Sequence, residues 1–276
     1  MSIEYLPGLR PGDKIDLSQF ESKKILEPRP EYYLSSLQES LKSLSENPGY
    51  KGFMDMEGKI IMSGSEANYD NKNIQLKERA WAQEKGLSWE EWTIKKESDP
   101  ANLAEMGITL LFNRVLGDKF AILRASDYDD YENGADNIIV DRESGAVICG
   151  IDDVLGRDGD DGSQKKAAKI KNKMERGGAR IKYGAAMKDG KLVGQSLEHV
   201  PLFYFSLSKQ ELSDLLHSLT EHNKPGDKEK EIYNKLINSL SEQYGQFSTD
   251  KKLHRDLQKN LDSFSPSLEK MRLHAD

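Results

Sequence analysis

The segment that most restricts the fold of this 276-residue chain is Asp127–Lys182. It carries two short apolar runs, Asn137–Val140 and Ala146–Ile151, separated by Asp141-Arg142-Glu143-Ser144-Gly145. Short runs rich in Ile and Val, joined by a turn cluster ending in glycine, predict an antiparallel hairpin. Carboxylates flank both runs: Asp136 opens the first, and Asp152 and Asp153 close the second. In an antiparallel pair the start of one strand lies beside the end of the next. The pattern therefore predicts that Asp136 and Asp152 meet at one end of a sheet, where like charges need a cation or a shared proton.

The charge distribution sharpens this expectation. The net charge of −7 divides unevenly: residues 1–162 hold 19 Lys+Arg against 32 Asp+Glu, and residues 163–276 hold 21 against 15. Lys165–Lys191 alone contains 10 bases and 2 acids. An acidic cluster followed by a basic segment suits a metal site beside a phosphate-binding surface. A solvated acidic loop before a solvated basic helix gives the same pattern.

Other classes are disfavoured. No apolar run approaches the roughly 18 residues of a membrane span. The N-terminus lacks a basic segment followed by an apolar one, so no signal peptide and a cytoplasmic location are expected. The single cysteine, Cys149, precludes an internal disulfide framework and reads as a small buried strand residue. The five histidines form no close ligand pair with it, so no structural zinc site is expected.

Residues 1–30 contain Pro7, Pro11, Pro28 and Pro30 and predict an extended arm or a partly disordered segment. Leu34, Leu37, Leu41 and Leu44 predict an amphipathic helix over 31–46, stopped by Asn47-Pro48-Gly49. A small hairpin around Glu57-Gly58 and a polar helix over 71–85 follow. Ser88-Trp89-Glu90-Glu91 is a capping box, and Asp99-Pro100 starts a helix to Leu116. Trp81, Trp89 and Trp92 read as packing of short helices or as a platform for bases. A strand at Phe120–Leu123, the hairpin, a helix over Gln164–Arg176, and strands at 179–187, 191–193 and 201–207 come next. Ser208 and Glu211 cap a helix to 222, and helices over 227–244 and 249–262 close the chain. Three parts are expected: an N-terminal arm, helices and hairpin (1–98), an α/β core (99–222) and a helical extension (223–276).

From 99 to 208 the order is helix, three strands, helix, strands. This resembles the PD-(D/E)XK nuclease-like superfamily, whose core is a helix, a three-stranded meander, a helix and a further strand. Asp136 in Gly134-Ala135-Asp136 stands at the first acid position, and Asp152 at the second. Glu105 matches the glutamate that often projects from the first helix. The acid-x-Lys triplet reads Asp152-Asp153-Val154, with valine where the family has lysine. Some members are similar in carrying the lysine on the following helix, which points to Lys165, Lys166 or Lys169, with Lys182 on the next strand as a further option.

The resemblance implies an α+β fold with a small mixed sheet, flanking helices, a restriction-endonuclease-like core and helical N- and C-terminal additions. It also implies Mg²⁺ or Mn²⁺ held by Asp136, Asp152 and Asp153. The catalytic set is expected to be Glu105, Asp136, Asp152, Lys166 and Lys182. Lys165–Lys191 is then the segment that meets nucleic acid. Two alternatives stand beside it. One is an inactive scaffold of the same fold that binds a protein partner. The other is a calcium loop built on Asp158, Asp160 and Asp161, whose spacing departs from an EF-hand. The bland reading of the acids is a turn end at Asp136 and a solvated strand end at Asp152–Asp153. For Glu105 it is a solvent-facing side chain.

Overall fold

The computed structural model describes residues 30–156, 161–221 and 225–273. Four helices come first: α1 (Pro30–Ser45), α2 (Ala67–Glu84), α3 (Trp89–Glu97) and α4 (Pro100–Leu116). Helix α1 buries Tyr33, Leu37 and Leu41, one side chain per turn. Helix α3 starts at the predicted capping box: Ser88 Oγ accepts from Glu91 N at 3.2 Å, and Glu91 accepts from Ser88 N at 2.8 Å. Asp99 caps α4 by accepting from Ala101 N at 2.9 Å, with Pro100 in the first turn.

The strands follow: β1 (Phe120–Arg124), β2 (Asn137–Asp141), β3 (Val147–Leu155), then α5 (Asp161–Glu175), β4 (Ala179–Lys188), β5 (Lys191–Val200) and β6 (Leu202–Leu207). Helices α6 (Lys209–Glu221), α7 (Asp227–Ser248) and α8 (Arg255–Leu273) complete the chain. The fold is α+β. A four-stranded mixed sheet has the order β1-β2-β3-β6, and β4 and β5 form a separate two-stranded sheet. Strands β1, β2 and β3 are a meander of antiparallel pairs, and β6 lies parallel to β3. The parallel pair is reached through α5 and the β4–β5 ribbon, as a parallel pairing needs a long crossover. One buried apolar cluster includes Leu37, Phe112, Phe203, Leu240 and Leu261.

Several boundaries differ from the sequence pattern. Strand β3 continues to Leu155 rather than stopping at Ile151, because its pairing with β6 covers Gly150 to Leu155. Strand β5 is ten residues long although only Lys191–Val193 was expected. It pairs with β4 alone, so most of its side chains face solvent and carry no hydrophobic alternation. Helix α8 starts at Arg255 and runs through Pro266 to Leu273 instead of spanning 249–262. Buried Phe264, Leu268 and Met271 hold it together across the proline. The acidic loop before β2 contains a π-helical turn, Asp129–Asn133, ended by Gly134 at φ 58°. Gly145 in the β2–β3 turn has φ 73°, and a Cβ there would lie 2.2 Å from Met187 O. The N-terminal arm (1–29) and Asp158 and Asp160 of the calcium-loop reading lie outside the described residues.

Candidate functional site

The register of the meander decides where the acids go. Asn137 pairs with Ile151, which sets Asp136 beside Asp152 and Asp153. Beyond this point β2 has ended while β3 continues along β6, so the acids lie at a fork. Asp136 is tied into the fork: its N–H donates to Ile151 O at 2.8 Å, and its Oδ2 accepts from Asp153 N at 2.5 Å.

Successive strand residues point to opposite faces, and Asp152 and Asp153 have different partners accordingly. Asp152 Oδ1 accepts from Lys166 Nζ on α5. Asp153 Oδ2 accepts from Asn137 Nδ2 at 2.7 Å, and Asn137 Oδ1 accepts from Thr109 Oγ1 of α4 at 2.7 Å. Asp153 thus belongs to the α4 side, with Glu105. Glu105 is half-buried rather than solvent-facing, and its carboxylate accepts from the fully buried Arg124 at 2.7 Å.

The cluster holds more negative charge than its cations offset. Glu105 has Arg124, and Asp152 has Lys166. Asp130, Asp136 and Asp153 have no cation within salt-bridge distance among the described residues. Burial pushes Asp136 well above the usual carboxylate range, and Glu105, Asp130, Asp152 and Asp153 push it further. Burial, then Glu105 and Asp152, raises Asp153 likewise. Asp130 is pushed up to about 6 by burial and by Glu105. Two buried carboxylate oxygens, Asp152 Oδ2 and Asp153 Oδ1, have no hydrogen-bond partner among the described residues.

Helix α5 brings its lysines to the same place. Lys166, Lys169 and Lys173 lie on one helix face. A Cβ built on Gly134 would lie 3.1 Å from Lys173 Nζ, 3.4 Å from Lys169 Nζ and 3.7 Å from Asp152 Oδ2. Burial lowers the Lys166 pKa, but Asp152, Asp136 and Asp153 more than offset this, and the group stays an ammonium. Lys173 is lowered, first by burial and then by Lys169.

Of the expected residues, the structure brings together Glu105, Asp136, Asp152, Asp153 and Lys166. Lys182 is a correction. Its Nζ donates to Asp70 Oδ2 at 2.6 Å and Glu66 Oε2 at 2.5 Å on the α2 side, because β4 belongs to the separate ribbon. Three further contributors were not singled out in the sequence: Asp130, Arg124 and Asn137. The register identifies Arg124 and Asn137, which are direct cross-strand partners, and Asp130 comes in with the π turn.

Cys149 is fully buried, and burial pushes its thiol pKa up, as suits an inert strand residue. Another group of ligand-type side chains, His199, His254 and Asp256, has donor atoms within 4.8 Å of one another. The two imidazoles stack at 4.2 Å, and Lys259 holds the Asp256 carboxylate at 2.9 Å. No helix among the described residues is long and apolar enough to cross a membrane. Comparison with protein-family models, curated proteins and solved structures found no match.

Proposed function

We propose that the chain is a metal-dependent hydrolase of nucleic-acid phosphodiester bonds with a restriction-endonuclease-like core. The observation that carries this reading is the excess of buried carboxylates at the β2–β3 fork, with two acceptor oxygens unpartnered. The order α4, β1–β2–β3, α5, β6, with β6 parallel to β3, supports it. Asp136, Asp152 and Asp153 would hold Mg²⁺ or Mn²⁺. They are hard oxygen donors, and Asp152 Oδ2 and Asp153 Oδ1 are the acceptors left for a cation. Bound Mg²⁺ or Mn²⁺ supplies Lewis-acid stabilisation of the charge on the phosphate.

The protein's own groups divide the remaining work. Lys166, kept charged by its acidic neighbours, stabilises negative charge developing on the phosphate and is no general base at neutral pH. It fills the role of the lysine replaced by Val154. Asp130, near 6, is the group best placed to exchange a proton close to neutrality. Arg124 fixes the Glu105 carboxylate against the cluster. Exposed Lys165 and Lys169 on α5 meet the nucleic-acid backbone.

Titration calorimetry with Mn²⁺ on the wild type and on Asp136→Ala/Asp152→Ala, followed by cleavage assays on single- and double-stranded DNA and RNA, tests the proposal. Saturable binding confined to wild type, with Mg²⁺-dependent cleavage, is expected. Equal heats in the two proteins would refute the metal site. Binding without cleavage of any substrate would favour the second reading, an inactive scaffold. That reading draws on Val154 and on the salt bridge already closed between Asp152 and Lys166.

A further inference from the structure

A second group of ligand-type side chains forms where the end of β5 meets the start of α8. The sequence keeps its members apart. Only the fold sets His199 of β5 beside His254, which precedes α8, and Asp256 in the first turn of that helix. One donor atom from each residue lies within 4.8 Å of the others. Solvent reaches the group: the His254 and Asp256 side chains are 50% and 43% exposed, and His199 is half-buried.

Hydrogen bonds assign the ring nitrogens. His199 Nδ1 lies 2.7 Å from Gly177 O. A carbonyl only accepts, so Nδ1 carries the proton and the neutral ring keeps its lone pair on Nε2. A ring nitrogen donating to a backbone carbonyl is the outer support that metal-ligating histidines have. Asp256 N donates to His254 Nδ1 at 3.3 Å, so the lone pair of His254 is on Nδ1, and Asp256 Oδ2 lies 4.0 Å from it. Lys259 takes the other oxygen, Asp256 Oδ1, at 2.9 Å. The backbone at His199 is held as well, with φ at 59° and its carbonyl accepting from Asn260 Nδ2 at 2.9 Å. Gly177 leaves room for the rings, since a Cβ there would lie 3.3 Å from His199 Nδ1 and 3.5 Å from His254 Cβ.

We propose that His199, His254 and Asp256 bind a borderline divalent transition metal, with Zn²⁺ as the representative ion, and that this ion clips the start of α8 to the end of β5. Two imidazole nitrogens and a carboxylate suit Zn²⁺, whereas the all-oxygen fork suits Mg²⁺ or Mn²⁺. Three protein ligands leave a fourth position for water. Ligands of a tetrahedral ion with bonds near 2.1 Å lie about 3.4 Å apart, so the donors close in by up to about 1.4 Å on binding. The two rings, now stacked 4.2 Å apart and 10° from parallel, must also tilt, because an imidazole donates in its own plane. Both movements fall to the exposed side chains of His254 and Asp256, while His199 stays on Gly177. The site does not depend on the proposed hydrolase reading.

The test is titration calorimetry with Zn²⁺ on Asp136→Ala/Asp152→Ala, which lacks the fork ligands, and on the same protein carrying His199→Asn or His254→Asn. Asparagine tolerates the left-handed backbone at 199 and serves as a helix cap at 254, so both should melt as their parent does. The parent is expected to bind one Zn²⁺ and to give no heat with Mg²⁺. Each histidine variant should lose more than about tenfold in affinity, the least that even an outer partner costs. In wild type at saturating Mg²⁺, Zn²⁺ at about a hundred times its Kd should raise Tm by about 5 °C, and His254→Asn should at least halve that rise. No Zn²⁺ heat in the parent, or unchanged affinity in both histidine variants, would overturn the inference. Equal Zn²⁺-induced shifts in wild type and His254→Asn would do the same.

Discussion

Asp129 is fully buried and Asp153 is half-buried with one carboxylate oxygen out of contact with solvent, yet the two are built for different purposes. Asp129 has four donors: Asn133 Nδ2 and Lys182 N on Oδ1, both at 2.7 Å, and Ser126 Oγ at 2.9 Å and Tyr183 N at 2.8 Å on Oδ2. It ties the π turn to β4 and leaves no acceptor over. Asp153 has one side-chain donor, Asn137, and a buried oxygen without a partner. Burial by itself therefore does not mark a site here. What distinguishes the fork is acceptor capacity that the fold leaves unused.

The sharpest way to break this comparison is activity. Asp136→Ala should lower the proposed Mg²⁺-dependent cleavage about a thousandfold, equivalent to about 4 kcal/mol. Steady-state assays at saturating metal check this, and a loss under tenfold would leave the fork no special role. Asp129→Ala should act on folding instead. It strands the amides of Lys182 and Tyr183, at a cost of about 3 kcal/mol in urea unfolding. A silent Asp129→Ala would erase the contrast between the two aspartates.

A smaller effect separates them by sign. Burial and its negative neighbours raise Asp153 in the folded state, so the protonated form favours folding. Its contribution is fully present below the unfolded aspartate pKa and turns unfavourable as pH rises through the raised folded value. Asp153→Asn should therefore raise Tm by about 2–4 °C at pH 8 in EDTA, and the gain should shrink toward pH 4. Thermal scans across that range decide it; a lower Tm at pH 8 would show that the carboxylate is already compensated. The smallest effect is expected at Lys182. Lys182→Ala should leave cleavage within twofold of wild type and shift Tm by about 1 °C, since Tyr183 Oη still donates to Asp70 at 2.6 Å. A large loss of activity would return Lys182 to the site.

Much of this was legible in the residues. The β2–β3 hairpin, the capped starts of α3 and α4 and the juxtaposition of Asp136 with Asp152 follow from apolar runs, turn residues and capping pairs, all short-range signals. Strand β5 was largely invisible, because a strand in a two-stranded ribbon needs no buried alternation. The length of α8 was hidden by Pro266, a local stop signal that the surrounding packing overrides.

The sequence by itself determined an α+β chain with an acid at each end of one hairpin and a basic helix after it. It could do so because the periodicity of apolar residues and the geometry of turns are local. The tertiary structure alone decided that β6 extends β3 past the end of β2, that Glu105 turns inward to Arg124, and that Asp130 joins Asp136. It also decided that Lys166 reaches the acids while Lys182 does not. Each of these depends on contacts between distant segments, and the resulting desolvation and charge exist only once the chain has closed around them.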